Sequence, residues 1–324
     1  MSHRREISVA IAIGALCLVL AVAAPGFFSA ENLSDLFLAD MPVLLVALGA
    51  ALVILTGEID ISVGSVFAIC GVVAGVAAKA GLGILSVGLL TCLTGAALAG
   101  VNGSLVAYVR LPSIVVTLAT MVALRDGLRW ATGGAWVSDL PVTFQWLGLS
   151  QSAYPVVAFA IAAGLQAGIA WGMRHLAAGR AVYATGSTED GARLAGIDTR
   201  LVKFTVFAIG GALTGLAALL NAVRFNQIPT NAGLGLEMKV IAAVVVGGVA
   251  IRGGSGTFLG TLLGVVLLAA IGPALVYLGV SPYWERAIQG AIILAAVALD
   301  ALGTSTAERA GTRAHAAGPT PATS

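Results

Sequence analysis

Glu58 and Asp60 stand in the stretch GEIDISVGS, residues 57–65, with long apolar runs on either side. Carboxylates followed by a serine at this spacing can serve a helix start: Asp60 or Ser62 can accept orphan backbone N–H groups that lipid could not satisfy. Gly57 and Gly64 would then permit the sharp reversal. The same carboxylates could instead meet basic groups of a partner, or Arg252 in the second glycine-rich turn, AIRGGSG. Both readings stay open. Because each turn joins two apolar helices, the second is a weak pseudo-symmetric copy of the first.

A second constellation is AVYATGSTEDGARLAGIDTR, inside the one substantial hydrophilic connection, residues 173–203. Ser187 can cap a short helix with Asp190 at the reciprocal position, Glu189 and Asp190 suit its positive end, and Gly196 is a left-handed terminator. Ala192, Leu194, Ala195 and Ile197 supply apolar contacts. A helix this short needs a surface, either the membrane or a groove on a soluble partner, or the segment is an ordinary ordered loop.

A third set consists of polar groups in or beside apolar runs: Asn102, Thr117, Thr120, Asp126, Asn221, Gln227 and Glu237. These can line a pathway for a polar solute, and Trp130, Trp136 and Trp284 can offer aromatic faces or anchor helices at the interface. Asp126 and Arg129, three apart, can also simply pair.

Other chemistries lack their residues. Three histidines lie far apart outside the apolar runs and three cysteines lie within them, which argues against a histidine relay, a metal site or a disulfide framework. A phosphate-binding loop needs lysine after glycine and before Ser or Thr. Lys79, Lys203 and Lys239 stand in Ala-Lys-Ala, Val-Lys-Phe and Met-Lys-Val. The expectation is a chain with no catalytic, cofactor or metal residues, whose ATP, if any is used, is hydrolysed elsewhere.

The elements that must position these groups are membrane spans. Hydrophobic residues make up 59% and charged residues only 10% of the 324, too little charge for a water-facing surface. Apolar runs predict an all-α polytopic membrane protein of about ten helices, near 7–24, 38–56, 61–78, 84–108, 113–131, 153–172, 202–222, 238–251, 256–278 and 285–301. The fifth carries Arg125, Asp126 and Arg129, and the eighth is short enough to be tilted, re-entrant or buried. The first resembles a secretory signal but is long for one, and is read as an uncleaved helix.

Lys and Arg fall mostly on one side, including Arg4, Arg5, Arg110, Arg174, Arg180, Arg200 and Lys203, so both termini are placed in the cytoplasm. The link after the first helix, with Glu31, Asp35 and Asp40, has no basic residue. A net charge of +2 reflects this bias and points to no nucleic-acid partner. The 42 glycines recur at four-residue spacing, as in Gly71/Gly75, Gly211/Gly215, Gly256/Gly260/Gly264 and Gly95/Ala99/Gly103. Such stripes let helices approach closely in a tight bundle, or slide.

Four blocks in order, VILTGEIDISVGS, LPSIVVTLATMVALRDGLRWATGG, AVYATGSTEDGARLAGI and GLEMKVIAAVVVGGVAIRGGSGTFLGTLLG, resemble the permease subunits of bacterial ABC importers for monosaccharides, the ribose, xylose and rhamnose group. GEIDISVGS and GVSPYWERAIQGAIILAAVALD look most like rhamnose permeases, while YATGSTEDGARLAGI and GLEMKVIAAVVVGG also resemble autoinducer-2 permeases. The resemblance implies a permease domain over 1–302 in the cytoplasmic (inner) membrane; the tail over 303–324, rich in Ala, Thr, Gly and Pro, reads as a disordered cytoplasmic segment from its composition. It implies a second permease chain, either a copy or a paralogue, a periplasmic sugar-binding protein, and a cytoplasmic ABC ATPase that uses ATP and Mg. By the same resemblance the segment at about 179–199, with Ser187, Glu189, Asp190, Arg193 and Gly196, is the part that docks on the ATPase. The rival class is an ion-coupled secondary transporter, which needs a buried acid near mid-membrane.

Overall fold

The computed structural model describes residues 2–292 and 294. In chain order the helices are α1 (Ser2–Ala23), α2 (Ala30–Leu55), α3 (Val63–Lys79), α4 (Ile84–Ala107), α5 (Ser113–Thr132) and α6 (Tyr154–His175). They continue with α7 (Ala177–Ser187), α8 (Glu189–Leu194), α9 (Thr199–Ala222), α10 (Leu236–Val246) and α11 (Phe258–Tyr277). A further helical stretch starts at 284, so most of the expected span 285–301 and all of the tail lie outside the described residues. The protein is a helical, multi-pass membrane protein.

Among the described residues, six helices are long and apolar enough to cross a membrane: α1, α2, α4, α6, α9 and α11, with α3 shorter. α5 is twenty residues long and carries Arg125, Asp126 and Arg129. α10 has eleven residues, about 16 Å at the helical rise, roughly half the hydrocarbon thickness. It is packed inside the bundle, with Glu237, Val240 and Ala242–Val245 buried.

The entry to α2 differs from the expectation of an acidic link after the first helix. The helix begins at Ala30, where the Ser29 hydroxyl accepts the Asn32 N–H and Glu31 lies in the first turn. Asp35 and Asp40 are therefore helical. An acid is tolerated at position 40 because Lys239 of α10 meets it at 2.5 Å.

α2 is the central helix, buried almost throughout from Met41 to Leu55. The glycine stripes explain the closest contacts. Gly95 and Gly211 bring α4 and α9 together backbone to backbone, with Gly215 against Thr91 and Gly103 against Phe204 and Phe207. A Cβ at Gly95 or Gly211 would overlap the other's main chain. Gly247 and Gly260 do the same for the loop after α10 and α11, and between α2 and α9 a Cβ at Gly49 would overlap the Gly210 backbone. At the opposite end from α7 and α8, Val137 and Ile228 exchange backbone bonds of 3.0 and 2.8 Å and tie two long loops together.

Candidate functional site

At the end of the bundle assigned to the cytoplasm, α7 and α8 form an elbow. Thr188 is extended (φ −158°, ψ 100°), so the segment is two helices rather than one. Ser187 is not the cap expected from the sequence: it is the last residue of α7, and its hydroxyl donates to the Gly254 carbonyl at 3.4 Å. No side chain caps α8 at Thr188. Gly196 does take a left-handed conformation (φ +81°) and ends the segment, with the Ile197 N–H bonded to the Ala192 carbonyl. Asp198 then caps α9, accepting the Arg200 and Leu201 N–H groups.

Charge binds this elbow to the bundle. Lys203 of α9 lies 2.7 Å from the Glu58 carboxylate and 2.9 Å from that of Glu189. Glu189 also pairs with Arg193, and the Thr199 hydroxyl donates to it at 3.2 Å. Burial pushes the Glu189 carboxyl up, but the hydrogen bond and charge of Lys203, then Arg193 and Thr199, outweigh it and hold the group below the usual carboxylate range. Asp190 and Leu194 point away from the bundle, and Leu194 is 92% exposed.

In the turn between α2 and α3, Gly57 is left-handed (φ +82°) as the reversal demands. Glu58 meets Lys203 rather than Arg252, which is exposed in its own turn. Asp60 is buried and accepts both the N–H and the hydroxyl of Ser62, at 2.8 and 2.6 Å. Neither Asp60 nor Ser62 gives α3 the side-chain cap expected from the sequence: Asp60 holds Ser62, the residue at the helix start, and Ser62 passes the network inward. Burial pushes the Asp60 carboxyl up, and the two bonds from Ser62 offset only part of that. Gly64 does not serve the reversal. It lies inside α3, where a Cβ would collide with the Gly233 carbonyl and the Glu237 carboxylate.

The polar chain continues from Ser62. Asn102 Nδ2 donates to Ser62 Oγ at 2.9 Å, and Thr120 donates to Asn102 Oδ1 at 2.9 Å. Thr117 donates to the Ile59 carbonyl, and the Ile59 N–H reaches Ser113 Oγ at 3.2 Å. The two glycine-rich turns also meet. The Gly254 N–H donates to the Leu55 carbonyl at 2.9 Å, and Gly186 of α7 fits between them where any Cβ would overlap both.

A family model described as the permease component of a branched-chain amino acid transport system matches residues 32–297. The chain belongs to that permease family. Similar relatives are the autoinducer 2 import system permease protein LsrC of Yersinia pseudotuberculosis serotype O:1b, 35% identical over 302 residues, covering 93% of this chain and 86% of that protein. The same-named protein of Salmonella typhi is 36% identical over 305 residues with the same coverage, and that of Photorhabdus luminescens is 34% identical over 306, covering 93% and 91%. No solved structure matches. None of these relatives is named for rhamnose. As a member of this family the chain is a multi-pass inner-membrane transport subunit, not itself a catalytic enzyme.

In this permease the polar residues separate into several places. Asn102, Thr117 and Thr120 belong to the buried network below α3. Asp126 pairs with Arg129 at 3.8 Å on the exposed side of α5. Asn221 and Gln227 flank a small cavity of about 20 Å³ beside Phe67 and Phe225. Glu237 is buried, faces Arg125 at 3.4 Å, and sets its second oxygen against Gly64.

An outer cleft of about 480 Å³ is lined by Arg129, Trp130, Trp136, Thr230 and Asn231. A mostly aliphatic cavity of about 530 Å³ lies between α2, α6 and α11, with Asp40 and Gln166 in its wall. Sequence reasoning misses Lys203 and the Asp40–Lys239 pair as site features. Each lysine stands alone in an apolar context, and its distance in the chain from a carboxylate hides the pairing.

Proposed function

We propose that this permease is the membrane-spanning subunit of an ATP-binding-cassette importer that carries autoinducer-2 into the cell, driven by ATP hydrolysed on a separate cytoplasmic subunit with Mg. The observation that carries the substrate is the likeness to autoinducer 2 permeases along 93% of the chain. That likeness displaces the rhamnose reading, which rests on two short blocks. The working assembly contains a second permease chain, a periplasmic binding protein and the ATPase. The elbow of α7 and α8 is the part that docks on the ATPase, with Leu194 as the apolar knob that enters a groove. Ser187, Glu189, Asp190, Arg193 and Gly196 set its shape or face.

An ion-coupled transporter would use a buried acid. Asp40 and Glu237 are such acids within the bundle, each matched by a cation, Lys239 and Arg125, while the buried Asp60 lies in the turn between α2 and α3 and is held by Ser62. The test is uptake of autoinducer-2, rhamnose and ribose by cells lacking the gene and by cells given it back. Loss and rescue of autoinducer-2 uptake alone supports the proposal. Loss of rhamnose uptake alone restores the rhamnose reading. Uptake abolished by an ionophore but indifferent to ATP depletion would replace the importer class altogether.

A further inference from the structure

Among the described residues, Lys203 is the one cation that pairs with both the elbow and the turn below α3. Its side chain is only 12% exposed, and its ammonium stands between Glu58 (2.7 Å) on one side and Glu189 (2.9 Å) on the other. The two carboxylates come from segments that the sequence keeps far apart. With Lys203 present they share one cation; without it they are like charges held close to each other.

What lies beyond each carboxylate makes this more than a local staple. Glu189 is in the first turn of α8, held also by Arg193 and Thr199. Glu58 begins the turn whose next residues, Ile59 and Asp60, bond into α5 through Ser113 and Thr117, and into α4 through Ser62 and Asn102. A displacement of α8 that draws Glu189 away leaves Lys203 to Glu58 alone. The restraint on the turn therefore depends on where α8 is.

We infer that Lys203 is a positioning residue of the transport cycle: it makes the geometry of the turn below α3, and through it α4 and α5, respond to the position of α8. The inference rests on the reading of α7 and α8 as the ATPase-docking elbow.

The experiment uses the whole importer, with permease, ATPase and binding protein expressed together, purified and placed in liposomes. ATP hydrolysed per autoinducer-2 molecule delivered is compared for the wild type, K203M and K203R. In K203M the ATPase co-purifies as before and hydrolysis continues, while ATP spent per molecule delivered rises about tenfold, within the roughly 5–150-fold range of ordinary coupling energies. K203R, which keeps the charge, returns most of the coupling. E58Q shifts the ratio in the same direction by less, and carries the test if K203M does not accumulate.

An unchanged ratio in K203M and E58Q overturns the inference, as does an Arg variant no better than Met. Loss of ATPase co-purification in K203M also overturns it, because Lys203 would then merely hold the elbow's shape. Absence of ATPase from the wild-type preparation is a different failure: the docking reading falls first and takes this inference with it.

Discussion

Lys239 holds one carboxylate and Lys203 holds two, and the surroundings of the two lysines differ as much as their partners. Lys239 and Asp40 join α10 to α2 in a one-to-one pair, with Lys239 partly exposed and Asp40 in the wall of the aliphatic cavity. Lys203 sits where the bundle meets the aqueous elbow, and divides its charge between Glu58 and Glu189. Between α2 and α10 the buried Asp40 has no second cation, so separation leaves it as an uncompensated charge. At the edge, water and a second carboxylate can take over part of the interaction, so segments can move without stranding a charge. The interior pair is suited to fixing helices, the edge cluster to letting one part shift against another.

The largest effect that would sharpen this contrast is Lys239→Ala. Leaving Asp40 buried and unpaired should cost about 3–5 kcal/mol, read as a large drop in the thermal midpoint of the purified permease and in the amount that reaches the membrane. The double change Asp40→Leu with Lys239→Met should recover much of that loss. A double variant no better than the single one would mean that the pair has a role beyond neutralising itself.

At the edge the effects should be smaller. Gly196→Val forces a branched residue to φ +81°, costing roughly 1–2 kcal/mol in a segment that can distort locally. The expected outcome is a normally assembled permease that couples ATP hydrolysis poorly. Undiminished uptake would remove Gly196 from the coupling segment. Asp198→Ala removes a cap that accepts two N–H groups and should lower stability by about 1 kcal/mol, whereas Ser187→Ala should change the thermal midpoint little, since its hydroxyl caps neither helix. Equal losses from the two would mean that the elbow's ends are not set by the bonds described.

The smallest effect is that of pH. The Glu189 carboxyl lies below its unfolded value, so its contribution is fully present above about pH 4.3 and fades as pH falls through the lower folded value. Asp60 has the opposite sign: its carboxyl is raised, so its contribution is complete below about pH 3.9 and is lost as pH rises through the raised folded value. Between pH 6 and 8, roughly, Glu189 should therefore add nothing to any pH dependence. Limited proteolysis at the elbow should increase only in acid, and Glu189→Gln should flatten that response.

Much of the bundle is written in local pattern. The apolar runs place most helices, because a span has to satisfy its own backbone and keep lipid outside. Four-residue glycine spacing announces where α4 meets α9 and α10 meets α11, though Gly71 and Gly75 of α3 face the loop residues Ile228, Val137 and Leu140, and Gly196 announces a left-handed stop. The start of α2 is hidden because acids at 31, 35 and 40 read as a link. What lets the deepest of them, Asp40, sit inside a helix is a lysine about two hundred positions away. Ser187 and Gly64 mislead for a related reason. Each has a residue type that suits a turn, but its role is fixed by neighbours from distant segments, Gly254 for one and Gly233 with Glu237 for the other.

The joint of Leu55, Gly186 and Gly254 also bears on the order in which the protein can be completed. Its bond runs from the Gly254 N–H to the Leu55 carbonyl, so the end of α2 waits for all the chain between residues 55 and 254 before its partner exists. Synthesis proceeds from the N-terminus, and α2 through α10 are made while that carbonyl is still open and the slot for Gly186 has only one wall. The joint therefore cannot form before residue 254 has been made, and a chain that stops short of it leaves the elbow without its seat.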